Sequence, residues 1–344
     1  MTTVTIASYF EEEYVRRIRE VDERLRVLYR EDLVPPPRWP GDHAGPEEWE
    51  RTPDGEEAFL KMLGEAEILY DFPRGHVGDL VEVAPKLRWV QGSMAGAGEV
   101  AEKAGMGETD VVVTTASGIY SGALAEFALM SMLQHAKNLD RLRRDKSEKV
   151  WRQGATGTLE RKTLCVVGMG SIGRAIASRA QPFGMRVVGV KRTLRDDDEA
   201  WGYADELYPT AELRNALGEA DYVAVTLPGT PQTRRLIDAE AIAAMRPDAY
   251  FVNVGRGTVV DEAALVEALE GGHLSGAALD VFEVEPLPEE SPLWGLENVI
   301  VSAHTTDVVP DLINGAQTDL FCENLRRYLA GEELLNVLDK RLLY

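Results

Sequence analysis

Two periodicities alternate along this chain. Short apolar or β-branched runs at residues 4–7, 27–29, 66–70, 87–90 and 111–114 read as strands. Between them, apolar residues recur every three or four positions, which predicts helices over residues 10–25, 56–63, 77–83 and 123–139. In the last of these, Leu124, Phe127, Ala128, Met130 and Leu133 recur mostly at three- and four-residue steps, and Phe127, Met130 and Met132 are expected to face a core. A Pro/Gly-rich loop at 35–53 interrupts the series without ending it. From Thr163 onward a second series begins, with apolar strands at 164–167, 186–190, 250–254, 277–282 and 299–303. Strand and helix in alternation imply a parallel sheet covered by helices. The charged stretch 140–149, lying between the two series, reads as a solvated connection, and 311–329 as a final helix ending near Gly331. No short-period repeat supports a solenoid.

A length of 344 residues suits two domains with separate cores. Apolar residues at 44% and charged residues at 28% exclude a disordered or low-complexity chain. The net charge of -21 argues against a nucleic-acid or anionic-membrane partner, so any local basic cluster becomes informative. The only cysteines, Cys165 and Cys322, sit in no metal-binding spacing, which fits a reducing, cytoplasmic setting. Residues 1–20 are rich in Glu and Arg, and no apolar run reaches about 18 residues, so neither secretion nor membrane spanning is expected.

The first chemical signal follows the strand 164–167: Gly168, Met169, Gly170, Ser171, Ile172 and Gly173, then a helical run. In that context Gly168 permits a tight turn, Gly170 admits a pyrophosphate to the backbone, and Gly173 lets helix and strand pack closely. A dinucleotide is the expected ligand. At the end of the next strand, where an acidic residue commonly accepts the adenosine ribose hydroxyls, the chain has Lys191 and Arg192, with Arg195 nearby. These cations favour a 2′-phosphate and no carboxylate stands at that position to repel one, so NADP(H) is preferred and NAD(H) remains an option.

The second signal is a set of strand ends. Arg256 lies between Gly255 and Gly257, Glu285 follows the strand 277–282, and His304 ends the strand 299–303. In open α/β sheets ligands bind beside the carboxyl ends of strands, so these three side chains are expected to converge. They suit carbonyl reduction. Hydride transfer to a keto carbon builds negative charge on oxygen, which an imidazolium quenches; a carboxylate supports that imidazolium, and a guanidinium grips the substrate carboxylate and carbonyl.

With Gly168 to Gly173, Leu227 to Thr233, Asn253 to Gly257, Leu279 to Pro286 and His304 in this order, the chain resembles the D-isomer-specific 2-hydroxyacid dehydrogenase family, which includes glyoxylate/hydroxypyruvate reductases and phosphoglycerate dehydrogenases. The first half matches more loosely, through 87–96 and 114–126, and the 323–328 tail is also family-like. The resemblance implies an α/β fold of two doubly wound parallel-sheet domains, Rossmann-like or flavodoxin-like, flanking a cleft. It places a substrate-binding domain at 1–118 plus 305–344 and a dinucleotide-binding domain at 119–304. Arg256, Glu285 and His304 are then catalytic, and Asp280 lies near the nicotinamide carboxamide. Further cofactor contacts fall to Thr193, Leu227, Pro228, Thr233, Val254 and Gly255, beside the glycine loop, Lys191, Arg192, Arg256 and His304.

The substrate carboxylate is expected on the backbone of Ala95, Gly96 and Ala97, with Arg256 and His304 completing its contacts. This loop departs from the family pattern, because Gly98 stands where an acid is usual. Met94 and Tyr120 are candidates for the pocket border. His43, His76, His135 and His273 read as surface or ordinary core residues, no metal cluster is present, and no G-x-S-x-G nucleophile elbow occurs. The resemblance also implies a homodimer. The expected activity is reduction of a small 2-oxo acid to a D-2-hydroxy acid, with glyoxylate or hydroxypyruvate leading. One rival is NAD-dependent oxidation of the phosphoglycerate dehydrogenase kind, against which the absent acid at Lys191 weighs. Another is a dinucleotide-sensing, corepressor-like scaffold without turnover.

Overall fold

Strands with both faces covered need buried residues on each side, and the first sheet meets that requirement with short, mostly apolar segments in which Thr5, Gln91 and Thr114 are buried as well. The computed structural model describes residues 1–195 and 197–344, and the chain falls into two units, Met1–Tyr120 with Val308–Tyr344, and Ser121–Asp307. In the first unit, β1 (Thr2–Ile6), β2 (Leu25–Leu28), β3 (Ile68–Tyr70), β4 (Trp89–Gln91) and β5 (Val112–Thr114) form a parallel sheet of order β2-β1-β3-β4-β5. Its helices are α1 (Glu12–Arg19), α2 (Pro53–Glu65), α3 (Leu80–Val83), α4 (Gly98–Lys103) and the last helix of the chain, α11 (Pro310–Ala330).

Side-chain alternation along a strand sends neighbours to opposite faces. Ile68, Tyr70 and Trp89 pack with Val15 and Ile18 of α1 and with Phe321 and Leu325 of α11. Leu69, Val90 and Val113 pack on the other side with Phe59 and Leu63 of α2. The helix predicted over 10–25 is shorter in the structure, for a local reason. Asp22 Oδ1 accepts the Arg24 amide at 2.8 Å, and this turn separates α1 from β2, which begins at Leu25. Phe10 precedes the helix and packs edge-on against Tyr70, with ring centroids 4.7 Å apart. Phe10 and Leu25 thus fit the helical spacing and are buried, but both lie outside α1.

The second unit contains α5 (Ser121–Ala136), α6 (Leu139–Glu148), β6 (Thr163–Val167), α7 (Ser171–Ala180), β7 (Arg186–Lys191), β8 (Glu206–Pro209), α8 (Leu213–Glu219), β9 (Tyr222–Val225), α9 (Ala239–Ala243), β10 (Ala249–Asn253), α10 (Glu262–Glu270), β11 (Leu274–Leu279) and β12 (Val299–Val301). All its strands are parallel, in the order β12-β11-β10-β9-β6-β7-β8. The order reverses direction at β6 and β9, and in such sheets the ligand crevice opens at the carboxyl ends beside that reversal. Asp261 caps α10 by accepting the Ala264 amide at 3.2 Å, and Gly271–Gly272 ends that helix.

The charged stretch 140–149 is helical and not a plain connection: it is α6, bounded by left-handed Asn138 and Lys149 at φ 52° and 59°. Its Arg, Lys, Glu and Leu residues are good helix formers, so propensity acts where no apolar stripe advertises a helix. Arg144 pairs with Glu297 at 2.8 Å and Arg143 with Asp140 at 3.6 Å. The irregular link is instead 150–158. β8, β9, α8 and α9, of four to seven residues each, are too short for periodicity to single out. Among the described residues no helix is long and apolar enough to cross a membrane.

Candidate active site

The glycine loop after β6 is locked on its protein side and open on the other. Gly168 adopts φ 107°, and its carbonyl accepts the Thr226 hydroxyl at 2.6 Å. A Cβ at Gly173 would fall 1.9 Å from that same carbonyl oxygen, so α7 can approach β6 this closely only at a glycine. At Gly170 a Cβ would meet no atom within 4 Å. Gly170 is also the N-cap of α7 and has no side chain to occupy the first helical amides. Met169 is buried, while Ser171 and Ile172 are half-buried. An open, uncapped helix start beside the β6/β9 reversal fits a dinucleotide pyrophosphate.

At the tip of β7 the structure corrects one expectation. The sequence places no acid next to Lys191, but the chain turns back to bring Asp198 there, and Lys191 Nζ donates to both its carboxylate oxygens at 2.7 and 2.5 Å. The Lys191 hydrogen bond holds the Asp198 carboxyl below its ordinary pKa. Arg192 and Thr193 are exposed beyond the strand end. After β9, Leu227 lies against Gly168, and the following loop is tied internally: Thr233 Oγ1 donates to the Pro228 carbonyl at 2.6 Å and accepts the Thr230 amide at 2.9 Å.

Three strand ends build the acid/base group. Buried Asn253, the last residue of β10, accepts the Gly255 amide at 3.1 Å and donates to the Arg256 carbonyl at 3.2 Å. This pins the turn that carries the arginine, and the buried Val254 leads into it. A Cβ at Gly257 would lie 1.9 Å from the carbonyl of Phe282, so a glycine is required for this turn to wedge against the segment that follows β11. Arg256 itself donates to the Gly255 carbonyl at 2.9 Å.

Beyond β11, the Phe282 amide donates to Glu285 Oε1 at 3.0 Å, and His304 Nδ1 sits 2.8 Å from Glu285 Oε2. Burial pushes the Glu285 carboxyl up, but its hydrogen bonds to His304 and the Phe282 amide, with the charges of His304 and Arg256, leave it below its ordinary value. The Glu285 hydrogen bond raises His304 above its usual pKa despite opposition from burial and from Arg256. With Nδ1 held by Glu285, the imidazole keeps Nε2 for a reacting group.

His304 adopts φ 53°, a left-handed conformation unusual for a side-chain-bearing residue. Buried Asp280 holds the segment after it: one carboxylate oxygen accepts the Thr305 and Thr306 amides at 3.1 and 3.4 Å, the other the Thr306 hydroxyl at 2.7 Å. Sequence reasoning gave Asp280 a place near the nicotinamide and missed this anchoring role. It also missed Asp307, whose carboxyl is pushed up by burial and by the Asp280 charge. Asn253 stood in a quoted motif, yet nothing in the motif disclosed its grip on both sides of Gly255.

In the first unit, Ala95, Gly96 and Ala97 form a turn after β4 and lead into α4. The glycine at 98 has a structural cause: a Cβ there would lie 2.0 Å from the backbone oxygen of Leu343, so the returning C-terminal segment fills the space an acid would need. Met94 is exposed at 41%, whereas the Tyr120 hydroxyl donates to the Ser93 carbonyl. Of the remaining histidines, His43 bonds the Tyr9 carbonyl at 2.9 Å, His273 the Ile242 carbonyl at 3.2 Å, and His135 stacks on Tyr250. His76 is less ordinary than expected, because it bridges Glu56 and Asp79. No group of three metal-binding side chains forms among the described residues. Burial pushes the Cys165 thiol up to about 12, and Cys322 is likewise raised, so neither is primed as a nucleophile.

A doubly wound sheet with an open glycine loop and an Arg–Glu–His set at neighbouring strand ends defines a nicotinamide-dinucleotide oxidoreductase fold. Comparison with known proteins agrees. The family model described as "D-isomer specific 2-hydroxyacid dehydrogenase, NAD binding domain" matches residues 129–306. A glyoxylate reductase of Korarchaeum cryptofilum is 30% identical over 290 residues, covering 82% of this chain and 86% of that protein. The crystal structure of a D-isomer specific 2-hydroxyacid dehydrogenase from Xanthobacter autotrophicus Py2, in complex with NADPH and MES, superposes with TM-score 0.79 at 29% identity, covering 100% of this chain and 99% of that one. An NADPH-dependent glyoxylate/hydroxypyruvate reductase from Sinorhizobium meliloti, in complex with NADP and sulfate, gives TM-score 0.77 at 26% identity, covering 100% of both chains. The chain belongs to the D-isomer specific 2-hydroxyacid dehydrogenase family.

Proposed function

We propose that this protein reduces a small 2-oxo acid to the D-2-hydroxy acid with NADPH preferred over NADH, glyoxylate and hydroxypyruvate being the leading substrates. The observation that carries the reading is the His304–Glu285 hydrogen bond at 2.8 Å, close to the Arg256 charge at the carboxyl edge of the sheet. A reduced dinucleotide whose pyrophosphate is held by the glycine loop would supply the hydride from its nicotinamide. His304 delivers a proton from Nε2 to the carbonyl oxygen, Glu285 stabilises the imidazolium and fixes its tautomer, and Arg256 binds the substrate carboxylate and polarises the carbonyl. The Ala95–Gly96–Ala97 backbone receives the carboxylate through its amides.

The NADPH preference rests on Lys191 and Arg192 at the tip of β7 and on the NADPH or NADP bound by the two family structures above. Asp198 tempers it, because Lys191 must exchange part of that ion pair for a 2′-phosphate. The test is the near-ultraviolet absorbance of each reduced coenzyme with a panel of 2-oxo acids. Turnover on glyoxylate or hydroxypyruvate, faster with NADPH, is expected. Tight coenzyme binding with no turnover on any acid would favour a sensing scaffold and overturn the reading.

A further inference from the structure

The N-terminal end of the proposed carboxylate loop is held by a buried polar cluster that no catalytic role accounts for. Ser93 is gripped from two sides. Its hydroxyl donates to Asp71 Oδ2 at 2.8 Å, and Asp71, with φ 68°, also accepts the Phe72 amide at 2.9 Å. Its carbonyl accepts from the Tyr120 hydroxyl and from Gln317 Nε2, the latter at 2.7 Å. Gln317 is 2% exposed and its amide is fully used: Nε2 also donates to Tyr120 Oη at 2.6 Å, and Oε1 accepts the Tyr70 hydroxyl at 2.8 Å. Since the Ser93 carbonyl can only accept, it dictates which way the Gln317 amide faces.

This grip has a directional consequence. A trans peptide is planar, so a carbonyl fixed in one direction points the next residue's N–H the opposite way. The Ser93 carbonyl, held by Tyr120 and Gln317, aims the Met94 N–H; the Met94 carbonyl, held by the Ala116 amide at 3.1 Å, aims the Ala95 N–H. The amides of Met94, Ala95 and Gly96 make no hydrogen bond to another described residue. Successive backbone donors without internal partners form an anion-binding concavity. Burying Gln317 costs side-chain entropy and desolvation, and its amide nitrogen is spent on the Ser93 carbonyl and on the Tyr120 hydroxyl that shares that carbonyl.

We propose that Tyr120 and Gln317, backed by Asp71 on the Ser93 hydroxyl, are positioning residues that preset the Met94 amide, which adds one donor at the entrance of the Ala95–Gly96–Ala97 loop for the carboxylate of the 2-oxo acid. This deepens the reductase reading and rests on it. The group acts on substrate binding and leaves hydride delivery to the second unit's residues.

The experiment compares wild type with Gln317→Met, Tyr120→Phe and the double variant, measuring the melting temperature, the dissociation constant of NADPH, and KM and kcat for glyoxylate. Each single variant is expected to raise KM about tenfold, the scale of one lost buried hydrogen bond. NADPH affinity should not change, and kcat should change less than KM. Because both side chains hold one carbonyl, the double variant is expected to fall short of the product of the single effects. Folded variants with unchanged KM, or with kcat reduced and KM intact, would overturn the inference while wild-type turnover upholds the reductase reading. Tyr120→Phe removes a single hydroxyl and serves if Gln317→Met does not fold. No wild-type turnover on any 2-oxo acid would overturn both.

Discussion

His304 is the residue through which the chemistry is proposed to run, and its setting is specific. It sits at φ 53°, its Nδ1 faces Glu285, and the following segment is tied to Asp280 by three hydrogen bonds. A raised pKa means the imidazolium survives to higher pH than an ordinary histidine's, so reduction should decline only as pH rises through that raised His304 pKa. Glu285→Gln removes the first cause of that rise. The alkaline limb of kcat/KM should then move to lower pH, with activity on that limb reduced relative to wild type. A limb that stays in place would show that Glu285 does not govern the proton donor. Asp280→Ala should release the Thr305–Thr306 segment; hydrogen bonds to a buried carboxylate are worth about 1.5–3 kcal/mol each, so a lower melting temperature and weaker turnover are expected. Unaltered melting and turnover would remove Asp280 as an anchor.

Elements explain which parts of this site could be read in advance. Gly168, Arg256, Glu285 and His304 each follow an apolar run closely, so a strand with a functional end is visible in local sequence. The glycine loop gives a pair of contrasting predictions. Gly173→Ala would place a Cβ 1.9 Å from the Gly168 carbonyl oxygen, and overpacking of this kind destabilises by about 1–3 kcal/mol, so the coenzyme-free protein should melt at lower temperature. Gly170→Ala meets open space, so melting should barely change while NADPH affinity falls roughly tenfold or more, as the new methyl occupies the pyrophosphate approach. Equal melting losses in both, or intact affinity in Gly170→Ala, would contradict this assignment of the loop. Other features were not legible because their partners are remote in sequence. Gly98 answers to Leu343, and Ser93 to Gln317. α6 escaped notice because a helix stabilised by charges and propensity carries no apolar stripe.

At the scale of the molecule, the net charge of -21 works against every anionic ligand, so selectivity for the more highly charged coenzyme must be local. Lys191 and Arg192 supply it, and Asp198 restrains it. Lys191→Asp with Arg192→Pro should swing the kcat/KM ratio toward NADH, whereas Asp198→Asn, which frees Lys191, should raise the NADPH/NADH ratio several-fold, on the order of 1 kcal/mol for a partly exposed pair. An unaltered ratio in both would show that the tip of β7 does not meet the 2′-phosphate. The two-sheet architecture was legible from strand and helix alternation, but composition alone could not reveal that Asp198 folds back on this tip.

The most direct test of the whole account is glyoxylate turnover by His304→Gln, measured together with its NADPH affinity. The account predicts coenzyme binding close to wild type with kcat lower by on the order of 10²-fold or more, the usual weight of a general acid. A variant that binds NADPH normally and turns over at the wild-type rate would contradict it.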